Sequence, residues 1–155
     1  MELNRASQKV QDHLDQFGLD LRVKEFPDST RTAQEAADAV GCEVGQIAKS
    51  LVFRSGAQPL LFLVSGKNQL NVDKVSRELG IPIEKADAQF VRNASGYAIG
   101  GVPPVAHAQK MEIYIDQDLM GYDLVWAAAG TPHAVFELNS SDLPRITAGR
   151  IIAVQ

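Results

Sequence analysis

Residues 46–53 read Gln-Ile-Ala-Lys-Ser-Leu-Val-Phe, a short apolar run with a single cation, Lys49, set into it. As a strand it alternates faces, so Ile47, Lys49, Leu51 and Phe53 share one side and Ala48, Ser50 and Val52 the other. Both sets are largely apolar, which predicts a strand covered on both faces. A lysine there either snorkels to an opening or lines a pocket. The plainer alternative is a solvated strand end, because lysines are almost never fully buried unless paired.

The neighbours of this stretch build a sheet. A turn over 54–59 leads into Leu60-Leu-Phe-Leu-Val-Ser65, almost wholly apolar, and the two runs read as a hairpin. Upstream, Leu3, Ala6, Val10, Leu14 and Phe17 fall on one helical face that Gly18 ends. Residues 21–26 alternate as a half-exposed strand, and Pro27-Asp-Ser-Thr30 breaks it. Thr32 and Glu35 have capping-box spacing for a helix that Gly41 closes. Downstream, Asn68 or Asn71 caps a helix carrying Val72, Val75 and Leu79, with Gly80 at its end. Residues 81–84 are extended, with Pro82 favouring an edge. Residues 87–93 form a helical turn, and Ser140 or Ser141 caps another. Further strands are predicted at 112–116, 124–129, 134–138 and 150–154. Helices lie mainly in the first half and strands dominate the second. The expectation is an α+β single domain over residues 1–155, with a curved, partly closed mixed β-sheet flanked by helices.

Composition narrows the function classes. A net charge of −4 argues against nucleic-acid binding through bulk charge, leaving only a local patch such as Lys49, Arg54, Lys67, Lys74 and Arg77. The one cysteine, Cys42, permits no intrachain disulfide or thiolate cluster and reads as core filler. No targeting segment or membrane-length apolar run is legible, so a cytoplasmic location and no membrane partner are expected. Neither glycine-rich nucleotide motif is present. His13, His107 and His133 lack ligand spacing, so no metal and no cofactor are expected. Trp126, mid-strand among apolar residues, reads as core.

Three stretches carry candidate chemistry: the lysine strand, Gly100-Gly-Val-Pro-Pro104, and Gly130-Thr-Pro-His133. Glycines let backbone N–H groups approach a ligand, and prolines hold the loop's shape. A rigid glycine loop beside a lysine is a cradle for a carbonyl or phosphate oxygen. His107 and His133 each follow a Gly/Pro turn and are either plain loop residues or substrate contacts.

Gln-Ile-Ala-Lys-Ser-Leu-Val-Phe, then Ser-Gly-Tyr-Ala-Ile-Gly-Gly-Val-Pro-Pro, then Ala-Gly-Thr-Pro-His, followed by a strand and Asp142-Leu143, come in one order. In that order the chain resembles the YbaK-like, prolyl-tRNA synthetase-associated editing domain family, from about Leu21 to Val154. The resemblance implies an enzyme that frees tRNA from a wrongly attached amino acid, here as a stand-alone, trans-acting aminoacyl-tRNA deacylase. It implies mischarged tRNA, through its acceptor end, as partner, with an aminoacyl-tRNA synthetase as a second candidate. The family's functional lysine falls on Lys49, with Ser50 beside it. Its Gly-x-x-x-Pro loop falls on Gly100 to Pro104, and its glycine before the penultimate hairpin strand on Gly130. Phe26 and Thr32 fall where the family lines its amino-acid pocket. Some members place a small polar residue at Ala128 and Lys-Arg-Gly where this chain has Thr-Pro-His, so a cysteine-specific assignment does not transfer.

The implied chemistry is hydrolysis of an activated ester. Lys49 supplies positive charge, and the N–H groups of Gly100 and Gly101 form the oxyanion contact. The general base is the substrate's own ribose hydroxyl, or Lys49 with its pKa lowered by burial. Hydrogen bonds from Thr32, Ser50, Thr131 and His133 would favour a small amino acid: Ser, Thr, Ala or Cys. Two other readings share these residues: a catalytically silent module that binds aminoacyl-tRNA or a synthetase, and a Schiff-base lysine enzyme.

Overall fold

The structure, a computed structural model, describes residues 3–155. Its strands are β1 (Val23–Glu25), β2 (Ile47–Ser55), β3 (Gln58–Ser65), β4 (Glu84–Lys85), β5 (Glu112–Asp116), β6 (Leu124–Ala128), β7 (Ala134–Asn139) and β8 (Arg150–Ile152). Its helices are α1 (Arg5–Asp15), α2 (Ala33–Val40), α3 (Val72–Leu79), α4 (Ala88–Ser95) and α5 (Leu143–Thr147). The strands form one sheet in the order β1-β7-β6-β2-β3-β5-β8, with β4 also paired to β2. The sheet is mixed: β2 runs antiparallel to β3 and β4 but parallel to β6, and β5 is parallel to both β3 and β8. With helices on its faces this is the expected α+β architecture. The sheet does not close, because its end strands, β1 and β8, do not pair with each other.

The apolar run of β3 is explained by burial on both faces. Leu61 and Leu63 enter a core with Val10 and Leu14 of α1 and Val91 of α4. Leu60, Phe62 and Val64 enter a second core with Val75 of α3 and the C-terminal Ile152 and Val154. Phe62 meets Phe53 edge-on at 5.6 Å and stacks on Tyr114 at 5.1 Å. Both separations lie in the range where aromatic pairs add to simple area burial.

The helix ends follow local chemistry, with some departures from expectation. Thr32 and Glu35 form the reciprocal capping box of α2. Asn71, rather than Asn68, caps α3 by accepting from Lys74 N. The helical turn expected at 87–93 extends to Ser95 and is capped by Asp87. The strand expected over 21–26 shortens to Val23–Glu25. There the buried Gln11 side chain donates to Leu21 O and accepts from Val23 N, tying β1 to α1. Neither Ser140 nor Ser141 caps a helix: the Ser140 hydroxyl donates to Tyr122 O, and α5 starts at Leu143 without a side-chain cap.

One feature of the sheet positions the site. The edge of β2 away from β3 is paired at one end by β6, at residues 47 and 48, and at the other by β4, at residues 53 and 54. Residues 49–52, roughly 13 Å of strand, have no strand partner on that side among the described residues. Ile47 O accepts from Gly66 N, so Ile47 directs its polar groups toward β3. Alternate residues of a strand share that direction. Ser50 and Val52 therefore direct theirs the other way, into the gap.

Because Phe62 is fully buried between two aromatic rings, Phe62→Ala should destabilise the fold by about 3–5 kcal/mol. Urea unfolding followed by circular dichroism would measure this; a loss below 1 kcal/mol would show that the second core collapses around the cavity.

Candidate active site

A cleft of about 340 Å³ opens at the gap in β2. Lys49, Ser50, Thr30, Thr32 and Gly100 border it, and Ala33, Ala36, Ala127 and Ala128 form much of its wall. Residues from both faces of β2 reach the same cleft because no strand separates the faces there. The structure thus brings together four sequence-predicted site residues, Lys49, Ser50, Thr32 and Gly100. It adds Thr30, which lies in the Pro27–Thr30 break between β1 and α2.

Lys49 is half-buried, and its ammonium donates to Asn68 O at 2.6 Å. Behind that carbonyl stands a buried polar network. Asn68 Nδ2 donates to Asp116 Oδ2 and Asp118 Oδ2, both at 2.8 Å, and Ser65 N donates to Asp116 Oδ2 at 3.0 Å. Asp116 is 1% exposed and Asn68 4%. Buried groups so fully hydrogen-bonded fix their geometry, so the acceptor for Lys49 is held in place. Burial lowers the Lys49 pKa from its ordinary value, and the Asp116 carboxylate opposes that shift. Lys49 Nζ is the hydrogen-bond donor to Asn68 O, which holds the group in one position beside the cleft.

The glycine loop divides its two N–H groups. Gly101 N donates to Ala98 O at 3.0 Å, closing a turn in which Gly100 takes φ +91°. That conformation suits glycine. Contrary to expectation, the Gly101 N–H is consumed inside the turn and is not available as an oxyanion donor. The Gly100 N–H has no hydrogen-bond partner among the described residues. The Arg31 side chain lies along Gly100: a Cβ there would sit 2.4 Å from Arg31 Cγ. Arg31 also lines the cleft and places a second cation at its mouth.

The Gly130–His133 corner supports this wall from behind without bordering the cleft. Gly130 N donates to Gly101 O, and the Thr131 backbone packs so closely on Gly101 that a Cβ there would lie 2.9 Å from Thr131 Cα. Pro132 O accepts from Thr30 N, and His133 O accepts from Phe26 N. His133 Nδ1 lies 3.1 Å from Asp28 O, and Thr131 Oγ1 accepts from His133 N. The Pro132 and His133 carbonyls and the His133 ring thus hold the 26–30 loop, Thr131 Oγ1 braces the corner itself, and Thr32 Oγ1 is engaged by Glu35 N. Phe26 packs in a cluster with Ile47, Trp126 and Val135 rather than lining the cleft.

Pro104 and His107 lie elsewhere. Both border a larger, more open groove of about 890 Å³, together with His13, Lys110 and Arg150. His107 Nε2 is 2.7 Å from Pro103 O, and burial lowers its pKa, so the ring braces its own loop. Neither residue reaches Lys49. Despite its size, the larger groove gathers among the described residues no network like that behind Lys49, and the smaller cleft is the candidate site. Among the described residues, no group of three His, Cys, Asp or Glu side chains is placed to hold a metal ion. No helix among them is long and apolar enough to cross a membrane.

Comparison with known proteins bears on this cleft. The family model for the aminoacyl-tRNA editing domain matches residues 27–146, which include every residue named as bordering the cleft. The uncharacterized protein YwhH of Bacillus subtilis (strain 168) is 29% identical over 143 residues, covering 92% of this chain and 91% of that protein. The proline–tRNA ligase of Thermosipho africanus is 31% identical over 94 residues; the match spans 60% of this chain but only 17% of the ligase. A solved structure provisionally described as a trans-editing enzyme for prolyl tRNA synthetase is 47% identical. It superposes with a TM-score of 0.94 over 99% of both chains.

Since the Asp116 carboxylate raises the Lys49 pKa against the lowering effect of burial, removing its charge should lower that pKa further. In Asp116→Asn the Lys49 ε-carbon NMR titration should move to lower pH than in the wild type, whose midpoint itself lies below that of an exposed lysine. An unchanged midpoint, with the fold intact by circular dichroism, would show that Asp116 does not act on Lys49.

Proposed function

The chain belongs to the aminoacyl-tRNA editing domain family, and from that membership we propose a single editing domain acting in trans as an aminoacyl-tRNA deacylase. The observation that carries the reading is a positioned ammonium, Lys49, bordering the same cleft as the unpartnered N–H of Gly100. The proposed reaction is hydrolysis of the ester between a small amino acid and the terminal ribose. Water adds to the ester carbonyl, the bond to the ribose oxygen breaks, and a proton passes to that oxygen. The products are free amino acid and tRNA.

Each residue has a part that its placement supports. Lys49 stabilises negative charge on the carbonyl oxygen or adjoining phosphate, aided by the Gly100 N–H. Arg31, at the mouth, meets the phosphate backbone of the acceptor end. Among the described residues no histidine or carboxylate borders the cleft, so the neighbouring ribose hydroxyl is the proposed base. Alanines at 33, 36, 127 and 128 leave room for a short side chain and favour Ser, Thr, Ala or Cys. A pocket of that size acts as a second sieve, hydrolysing only what is small enough to enter it and shutting out a larger cognate residue. The resemblance to part of a proline–tRNA ligase supports a prolyl-tRNA synthetase as working partner.

The test is deacylation of a panel of tRNAs charged with Ser, Thr, Ala, Cys or Pro. The wild type should release the small residues faster than Pro, and Lys49→Ala should lower that rate by about 10²-fold or more. Unchanged turnover in a folded Lys49→Ala variant would remove Lys49 from the mechanism. Binding of aminoacyl-tRNA without turnover by the wild type would make the protein a binding module.

A further inference from the structure

The gap in β2 leaves more polar capacity than ester hydrolysis requires. Ser50 directs its N–H and C=O into the gap, and neither makes a hydrogen bond among the described residues. Two residues that line the same cleft carry hydroxyls, Ser50 Oγ and Thr30 Oγ1, that are buried and have no hydrogen-bond partner among the described residues. Thr30 is 5% exposed. Such groups are costly unless a partner arrives, and four unmet groups around one cavity mark a site completed by its ligand. Three of them can accept: a carbonyl and two hydroxyls. What they suit is a compact donor with more than one N–H.

We propose that the unpaired edge of β2 at Ser50 seats the α-amine of the aminoacyl group, with Ser50 O, Ser50 Oγ and Thr30 Oγ1 as its acceptors. The identity of the ligand rests on the deacylase reading; the unmet groups do not. Lys49 does not oppose this seat, because its side chain leaves the other face of β2 and its ammonium is drawn to Asn68 O. The same edge sets the orientation of the substrate. With the amine at Ser50, the ester carbonyl turns toward Lys49 and Gly100, and the side chain toward the alanine wall. An uncharged tRNA end lacks the amine and leaves all three acceptors unmet, so the seat also separates substrate from product.

The test uses two non-hydrolysable probes, 3′-amino-3′-deoxyadenosine carrying serine or 3-hydroxypropionate in amide linkage, which differ only in the α-amine. Titration calorimetry on the wild type should show about tenfold weaker binding of the probe without the amine. Thr30→Val, which deletes one acceptor at constant shape, should reduce that ratio to about threefold. Equal affinity for the two probes, binding of neither, or an unchanged ratio in Thr30→Val would overturn the proposal. The outcomes also separate the two readings. A protein that discriminates the probes but hydrolyses no mischarged tRNA keeps the seat and loses the deacylase activity. One that hydrolyses the ester and binds both probes alike keeps the activity and loses the seat.

Discussion

An ammonium held against a β-sheet needs a fixed acceptor, and in this fold Asn68 O is that acceptor for Lys49. The carbonyl is held because the Asn68 side chain is clamped between Asp116 and Asp118, at the junction of β5 with the turn that follows it. Three separate stretches of sequence thus meet at one charge. The parallel pairing of β3 with β5 places Asp116 beside the end of β3, which lets Ser65 N and Asn68 reach it. Without that pairing the lysine would swing free, and the cleft would lose its electrostatic centre.

The cleft itself comes from missing structure. β4 and β6 each cover one end of the same edge of β2, and neither reaches residues 49–52. In most sheets an open edge is blunted, because its unpaired groups invite another strand. Here the opening is bordered by the 30–33 segment and by the turn at Gly100, and the Gly130–His133 corner supports both from behind. The opening is therefore a pocket of limited size rather than a surface for strand addition.

Much of this architecture was legible in the chain. Local signals identified the β2–β3 hairpin, the capping box at Thr32, and the strands at 112–116 and 134–138, because each depends on periodicity or turn chemistry within a few residues. The ordered triplet of the lysine strand, double glycine and Thr-Pro-His pointed to the family that the comparisons then showed. Long-range roles were not legible. Asn68 read as a helix cap, Asp116 as the end of a strand and Thr30 as part of a break, since nothing local announces a partner about fifty residues away. The same limit explains the misplacements. Gly101 looked like a free donor because its closure onto Ala98 is a property of the folded turn, and His107 looked available because its bond to Pro103 O depends on the loop's curl.

The central claim is that the gap in β2, and not the larger groove beside His107, receives the aminoacyl end of tRNA. Amide chemical shifts recorded while the seryl-amide probe is titrated into the labelled protein test this directly. The largest changes should fall at Ser50, Gly100, Thr30 and Ala128, with the amides around His107 and Arg150 unmoved. Changes confined to the His107–Arg150 groove would contradict it.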